Sequence, residues 1–470
     1  MTNYQGSGKV FFSQKEYECC LYFTEKEEQI LLTIRVKHDS QKSYYFEMPF
    51  EIHHLYGRLE TGFEFMLLKL YRLGIKENPA TKETEFSFCA DYIICGVNNT
   101  QQEQTFYKAS FTISNIIEWG GISVYNIGNN HELIHECIPK IIEILHNESC
   151  RVFYSVNGSF FPFIEEQVLQ DNLELKQIGD IVIEFSNDVS FSSFIEVLKS
   201  IKSLIEIALL RKVNISRVSA RSKSVVSTID DTTIERSIDI YGKGIHDCYL
   251  NEGTTSHNRQ RINLSELLEH NSFDQYFKKK ERLAPIIELY LEPFYVDGRS
   301  STGIFLSIVQ ALETYHSRFI TNSIDEFIAR IENIVKNTPK SEATVTRQLL
   351  IANSKSFITL ESRLADLLLA NHHVLFDTGR INYQDFPSII AHTRNYYTHY
   401  DERIKENYKV LSPEELTIYN KSLYQILEYY KLLELGFVND AYATMTKHER
   451  WSNITQRIEI MELSKSHYKA

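Results

Sequence analysis

From about residue 302 to the C-terminal end, apolar side chains recur at intervals of three and four residues. This spacing places them along one face of a helix with 3.6 residues per turn. The first run comprises Ile304, Phe305, Ile308, Val309, Ala311, Leu312 and Tyr315. Further helices are predicted at residues 323–337, 344–376, 384–401, 413–436 and 439–463. Helices that each carry one apolar face must bury those faces on one another, so this part predicts an all-α helical bundle.

The ends of these helices are marked by residues that commonly begin or end a helix. A polar insert at residues 339–341, which opens with a proline, ends the second helix. Ser412, Pro413 and Glu415 form a capping-box pattern at the start of the helix predicted at 413–436. Gly436 fits the C-terminal cap of that helix.

The part of the chain before about residue 250 has a different pattern. Short segments rich in Phe, Tyr, Ile and Val alternate with polar or Gly/Asn turns, which is typical of β-strands. Strands are predicted at residues 9–13, 17–24, 29–37, 43–48, 85–95, 105–113 and 180–186. Two helices are predicted within this part, at residues 132–146 and 190–211. The pattern indicates a β-rich module, either a sandwich or barrel-like, with a few helices.

The two patterns meet at a polar stretch. Residues 251–260 include Gly253 and are the predicted linker, and residues 271–295 are predicted to form a connecting helix of the C-terminal part. The fold class expected is therefore α+β, with a β-rich N-terminal domain at residues 1–270 and a helical domain at residues 271–470.

The cysteines and the apolar runs of the chain indicate the cellular compartment in which the protein is expected. The seven cysteines contain no pair separated by two residues and leave one over, which argues against a disulfide framework and a cysteine zinc site. The first residues have no basic-then-apolar pattern, so no signal peptide is expected, and no apolar run approaches the roughly 20 residues that cross a bilayer. We expect a cytoplasmic protein that contacts no membrane and needs no cofactor.

Negative charge is concentrated in the first part of the chain. Residues 1–270 carry 26 Lys and Arg against 37 Asp and Glu, a net of −11, whereas residues 271–470 carry 24 against 25, a net of −1. Because nucleic acids bind through cationic contacts, any RNA site has to be local. One candidate is the run Lys278, Lys279, Lys280 and Arg282, and the other is Arg211, Lys212, Arg217, Arg221 and Lys223. Both runs are also compatible with ordinary solvated surface.

Three blocks of the helical part carry a resemblance to a known family. They are residues 310–316, residues 357–369 and residues 394–401, the last reading Arg-Asn-Tyr-Tyr-Thr-His-Tyr-Asp. Together they resemble the HEPN domain of ApeA-like proteins, over about the last third of the chain. The resemblance implies a bacterial anti-phage ribonuclease of the abortive-infection type. It also implies that two HEPN domains dimerise and bring their arginine–histidine motifs together over RNA.

The residue types in the last block suit RNA cleavage without a metal. Such cleavage uses the ribose 2′-hydroxyl as nucleophile, so the protein must move protons and stabilise charge on the phosphate. Histidine suits the first task, and we expect His399 to act as general base or acid. Arginine offers permanently charged forked donors to phosphate, and we expect Arg394 to hold the scissile group. Asn395 would orient the histidine or the ribose.

The spacing of the motif leaves its geometry open. Five residues apart on a straight helix, Arg394 and His399 point about 140° apart, whereas Asn395 and His399 share a face. Either the motif straddles a helix end or a second subunit supplies the missing half. Glu313 could orient a member of the site from an earlier helix, or it could be a buried structural carboxylate.

The tyrosines of the block allow two interpretations. Tyr396 and Tyr400 could stack on RNA bases, as aromatic side chains do in single-strand binders. Packing between helices is the alternative for these residues and for Tyr397.

A second motif indicates a different chemistry. Residues 131–135 read His-Glu-Leu-Ile-His, the pattern in which His131 and His135 bind zinc from one helix face and Glu132 activates water. Against a zinc metalloprotease, Glu136 follows the second histidine at once, Pro139 soon interrupts, and no third ligand is evident. We favour a short helix with both histidines facing solvent. A third possibility is a non-catalytic HEPN-like binding or assembly protein.

Overall fold

The computed structural model describes most of the chain, and its two parts are taken separately below. The described residues are 3–24, 29–37, 48–78, 80–97, 104–130, 133–135, 139–158, 176–210, 212–229, 232–245, 262–295, 299–320, 322–352, 359–368, 372, 381–439 and 441–446. The backbone forms two compact units, residues 1–205 with 213–265, and residues 206–212 with 266–470.

The first unit begins with six antiparallel strands that close into a barrel. They are β1 (Asn3–Phe12), β2 (Lys15–Thr24), β3 (Ile30–Lys37), β4 (Glu51–Leu59), β5 (Glu64–Asn78) and β6 (Glu83–Cys95). Pairing runs β1–β2–β3–β6–β5–β4 and returns to β1, so this ring of strands closes on itself. Closure pairs the edges that an open sheet would leave exposed.

The barrel interior is filled by apolar side chains at alternate positions. Along β6, buried residues alternate with half-buried ones, as a strand with one face on a core requires. Phe65, Phe86 and Phe88 are fully buried there. Gly57 on β4 pairs with Phe65 on β5, and the Phe65 ring occupies the space that a side chain at position 57 would take. Glycine is therefore required at this close approach.

A second set of six antiparallel strands continues from the barrel. It contains β7 (Thr105–Ile113), β10 (Lys140–His146), β11 (Cys150–Gly158), β12 (Gln177–Ser190), β13 (Ile215–Ile229) and β14 (Thr232–Gly242). The order is β10–β11–β12–β7–β13–β14, and β14 pairs with β6 of the barrel. One face packs on helix α2 (Phe191–Leu209), whose Phe194 ring lies 5.5 Å from that of Phe106. The short elements α1 (Ile116–Gly120), β8 (Tyr125–Ile127) and β9 (Leu133–His135) complete the described part of this unit.

The second unit is helical in its described residues. Its helices are α3 (Leu264–Glu269), α4 (Ser272–Tyr295), α5 (Ser301–Phe319), α6 (Asn322–Lys336), α7 (Ala343–Ala352), α8 (Leu360–Leu367), α9 (Phe386–His399), α10 (Glu402–Asn407), α11 (Pro413–Glu434) and α12 (Ala441–Thr446). The central helix α5 packs on α4 and α11, and α9 packs on α5 and α8. Ile304, Phe305, Ile308 and Leu312 of α5 are fully buried. The predicted capping box of Ser412 and Glu415 is present in full, and Gly436 adopts a positive φ just after α11.

The predicted α+β fold class is confirmed, and the N-terminal module is a barrel with additional strands rather than a sandwich. The helix predicted at 132–146 is wrong, because its described residues form β9 and β10, and β10 pairs with β11 along a bulged register. The single helix predicted at 344–376 is also wrong: α7 ends at Ala352 and Thr359 caps a new helix. The predicted strand at 43–48, apart from Met48, and the linker at 251–260 lie outside the described residues. So does the end of the helix predicted at 439–463.

Among the described residues, no helix is both long and apolar enough to cross a membrane.

Candidate active site

The arginine–histidine motif lies on α9, which is fixed to the bundle along one side. Phe386, Ile390 and Ala391 are buried, and Pro387 occupies the first turn, where its missing N–H costs no hydrogen bond. The Leu411 amide donates to Thr393 Oγ1 over 3.1 Å, and the Tyr397 hydroxyl donates to the Leu411 carbonyl over 2.9 Å. The face of α9 opposite the motif's exposed groups is therefore held against the segment that precedes α11.

Arg394 is oriented by two polar neighbours. Its guanidinium donates to Glu313 Oε2 over 3.4 Å and to Asn395 Oδ1 over 3.3 Å. The side chains of Arg394 and Glu313 are 35% and 34% exposed, so the pair lies at the surface of the bundle. Both contacts are long, and a guanidinium has five N–H donors, so donors remain for a ligand such as phosphate.

His399 is the last residue of the same helix. Tyr400 follows in a left-handed conformation with φ of 51° and ends α9. The motif therefore does not straddle the helix end, and Arg394 and His399 project about 140° apart around one helix. His399 is exposed. Nearby Asp401 accepts hydrogen bonds from Arg403, which hold the pKa of its carboxyl below the usual range, with His399 contributing in the same direction.

The tyrosines of the motif pack on one another. The ring centroid of Tyr396 lies 5.2 Å from that of Tyr397 and 5.7 Å from that of Tyr400. The Tyr396 hydroxyl donates to Glu402 Oε1 over 3.1 Å. Burial raises the pKa of Tyr397, whereas Tyr400 is 64% exposed. Of the three, Tyr400 offers the most free ring surface to a ligand.

The basic run on α4 is partly engaged in contacts within the bundle. Lys279 Nζ lies 2.9 Å from Glu434 Oε2, at the C-terminal end of α11. Arg282 donates to the Arg318 carbonyl and stacks on the Phe319 ring at 4.3 Å, at the C-terminal end of α5. Lys278 is exposed and Lys280 is half-buried. The sequence placed these four cations together, but the contacts of Lys279 and Arg282 are with α5 and α11 rather than with α9.

In the second basic run, Arg217, Arg221 and Lys223 lie on β13. Lys212 precedes that strand, and Arg211 is outside the described residues. Arg217 pairs with Asp239 at 3.1 Å and Lys223 with Asp188 at 2.8 Å. Neighbouring carboxylates therefore offset two of its cations.

The zinc-protease pattern does not form the helix that its chemistry needs. Leu133, Ile134 and His135 are in β9, which pairs with β8. The pattern brings its two histidines to one metal on a helix, where residues four apart share a face. Both interpretations of this segment assumed a helix, and that helix is wrong for Leu133–His135. His131 and Glu132 themselves lie outside the described residues.

Sequence reasoning missed a polar cluster next to Glu313. His316 lies one turn further along α5 and is fully buried. Its Nε2 is 2.8 Å from Asp366 Oδ2, and its Nδ1 is 3.4 Å from a guanidinium nitrogen of Arg363. Because a guanidinium only donates, Nδ1 accepts and Nε2 carries the proton toward the carboxylate. The cluster fastens α8 to α5 beside the residue that orients Arg394.

These features define a protein class: a β-barrel module followed by a helical domain of HEPN type, with an arginine–histidine motif on one helix. Residues 306–441 match the family model described as Apea-like HEPN. Residues 4–279, more than half of the chain, match the model described as ApeA N-terminal domain 1. The chain belongs to the ApeA-like HEPN family. No curated protein and no solved structure matches it.

Proposed function

We propose that this protein is a metal-independent endoribonuclease of an anti-phage, abortive-infection system. The observation that carries the proposal is the surface guanidinium of Arg394, oriented by Glu313 and Asn395, on the helix that ends at His399. Membership of a HEPN family supports it, because HEPN domains are generally ribonuclease-like.

The proposed chemistry assigns one task to each polar group. Arg394 binds the scissile phosphate and stabilises the charge that builds on it. His399 removes the proton from the ribose 2′-hydroxyl or returns one to the leaving oxygen. Asn395 shares a helix face with His399 and orients it or the ribose.

The proposed site is composite. Arg394 and His399 diverge by about 140° on one straight helix, so one chain does not bring both groups to the same phosphate. A homodimer through the helical domain would place one copy's His399 beside its partner's Arg394. This arrangement agrees with the resemblance-derived expectation that HEPN domains act in pairs.

RNA would be held mainly near the motif. Tyr400, and to a lesser extent Tyr396, would stack on bases flanking the cleaved bond. Lys278 is exposed and is the first candidate of the α4 run for a phosphate contact, because Lys279 and Arg282 are engaged within the bundle and Lys280 is half-buried. The N-terminal module would restrain the nuclease or sense a phage-derived trigger.

The test compares RNA ends in bacteria that express the full chain and are challenged with a panel of phages. We expect fragments ending in 2′,3′-cyclic phosphate with the wild-type protein. Arg394→Ala and His399→Ala should each lower their yield by at least about 100-fold. His392→Ala is the matched control, since His392 lies on the same helix but stacks on Tyr408 at 3.8 Å.

Three outcomes would count against the proposal. One is cleavage that leaves 3′-hydroxyl ends, and another is cleavage that is unaffected by both motif variants. The third is growth arrest of equal extent in all four strains without RNA fragments, which would favour the non-catalytic binding protein.

A further inference from the structure

The second set of strands in the first unit, ordered β10–β11–β12–β7–β13–β14, has one buried face and one open face. Phe111, Ile183 and Ala220 point to the buried side and are at most 2% exposed. Residues next to them in sequence point to the other side, where Ser110 pairs across the sheet with Val182 and with Ser219. Because side chains alternate along a strand, the sequence itself assigns this second set to the open face.

The open face contains a cleft of about 390 Å³ that spans β10 to β14. This volume lies near the lower end of the roughly 300–1,000 Å³ typical of small-molecule sites. Ser110 and Ser219 give the cleft a floor of small hydroxyl-bearing side chains, and Phe153 and Ile141 lie on its β10–β11 side. A trough forms because small residues on the two central strands lie between larger ones on their neighbours.

The charged groups of the cleft balance one another. Lys108 Nζ lies 2.7 Å from Glu184 Oε1, and Asp180 accepts a hydrogen bond from the Thr112 hydroxyl. Arg221 is exposed at the cleft's lining and pairs in register with Lys108. Two cations and two carboxylates therefore line the cleft, with no net charge. A phosphate or other anion would meet the carboxylates of Asp180 and Glu184 as well as the cations.

We propose that this cleft binds a neutral polyhydroxylated ligand, a mono- or disaccharide. Carboxylates such as Asp180 and Glu184 accept hydrogen bonds from sugar hydroxyls, and the cations and serines donate to ring and hydroxyl oxygens. Phe153 supplies an apolar surface for the C–H face of a sugar ring. An apolar ligand would remove water from these polar groups without replacing the hydrogen bonds that the water made, which is unfavourable. The proposal does not depend on the ribonuclease activity.

The test is saturation-transfer NMR on the full chain with D-glucose, D-galactose, N-acetyl-D-glucosamine, maltose and cellobiose. We expect at least one of these sugars to bind the wild-type protein. Ser219→Tyr fills the floor and should abolish binding. Asp180→Asn keeps the shape but removes a charged acceptor, and should raise the Kd at least about tenfold.

The matched control is Ser186→Tyr, an exposed position on the same strand as Asp180 that does not line the cleft. It should leave the Kd unchanged, and circular dichroism should show all variants folded. Absence of a signal from every sugar would overturn the proposal. Glucose 6-phosphate and a peptide mixture are measured in parallel, and binding restricted to either of them would also overturn it. Sugar binding that persists in folded Ser219→Tyr would do the same.

Discussion

Arg394 is oriented by contacts that are weak enough to be replaced. Hydrogen bonds of 3.3 and 3.4 Å to Asn395 and Glu313 lie beyond the usual N–H···O range, and both members of the ion pair are about one-third exposed. An exposed pair of this kind contributes roughly 0–1 kcal/mol. A bidentate phosphate contact is stronger than either. Glu313 therefore aims the guanidinium without competing strongly for it.

His372 gives the helical unit a pH-dependent stability. Its buried ring lies against Tyr429 and Tyr430, and burial lowers its pKa to about 4 from an ordinary 6.5. Between those two values the unfolded chain binds the proton and the folded chain does not, so stability falls as pH falls through this window. We expect a loss of about 2 kcal/mol between about pH 7 and about pH 5 from this group.

Urea unfolding followed by far-UV circular dichroism measures this effect. His372→Phe should lose about 2 kcal/mol less than the wild type between the two pH values. Val345→Phe is the control, because Val345 is 57% exposed and this substitution introduces the same side chain without removing a titratable group. Identical pH dependence in the wild type and His372→Phe would contradict the assignment.

For individual residues, the sequence predicts which chemical groups are present better than it predicts which residues they contact. The spacing and type of Arg394, Asn395 and His399 are visible in the chain, as is the angle between them on one helix. The contact of Glu313 with Arg394 joins residues 81 positions apart, and only the block resemblance pointed to it. His316 lies in the same block, but the sequence gave no sign of its contacts, since those with Arg363 and Asp366 depend on how two helices pack.

Among the strands, Gly57 of β4 is the position where a larger side chain would disturb the barrel core. A Cβ added there would overlap the Phe65 ring, which is fully buried, so the ring would have to shift within the core. We expect Gly57→Ala to destabilise the protein by about 1–3 kcal/mol, as overpacking of a core does. Thermal unfolding would measure the loss.

The control for Gly57→Ala is Gly74→Ala on the adjoining strand β5. Nothing lies within 4 Å of a Cβ at position 74, which is next to a register shift. This variant should change the unfolding free energy by no more than about 0.5 kcal/mol. Equal destabilisation by both substitutions would show that the contact with Phe65 is not the source of the cost.

Elements with regular patterns are the ones that sequence reasoning identifies. α2, α4, α5 and α11 carry clear apolar stripes, and their predicted bounds agree with the structure to within a few residues. β13 and β14 were missed because their outward positions carry Ser, Arg and Glu, so little in the chain suggests a half-buried strand. The 132–146 segment was misassigned because Ile141, Ile142, Ile144 and Leu145 fit a helical repeat as well as a bulged strand.

For the whole molecule, the net charge would make the proposed RNA binding a local property. The chain carries a net charge of −12, of which residues 271–470 contribute only −1. Long-range attraction of RNA is therefore absent, and affinity has to come from a few cations and rings near α9. Doubling those cations at a two-fold interface would strengthen binding without changing the charge of either chain.

The composite site predicts complementation between two inactive chains. A heterodimer of Arg394→Ala and His399→Ala keeps one intact arginine and one intact histidine, on opposite chains. If each reaction centre joins one copy's Arg394 to its partner's His399, half of the dimers regain one of two centres, so activity should recover to about a quarter of wild type. Co-expression of the two variants, followed by quantification of 2′,3′-cyclic-phosphate ends after phage challenge, would measure this recovery. Co-expressing Arg394→Ala with a chain carrying both substitutions should restore nothing, because no histidine then faces an arginine across the interface. If the variants form dimers as readily as the wild type but recover no activity, the two groups act within one chain, and the composite-site model is wrong.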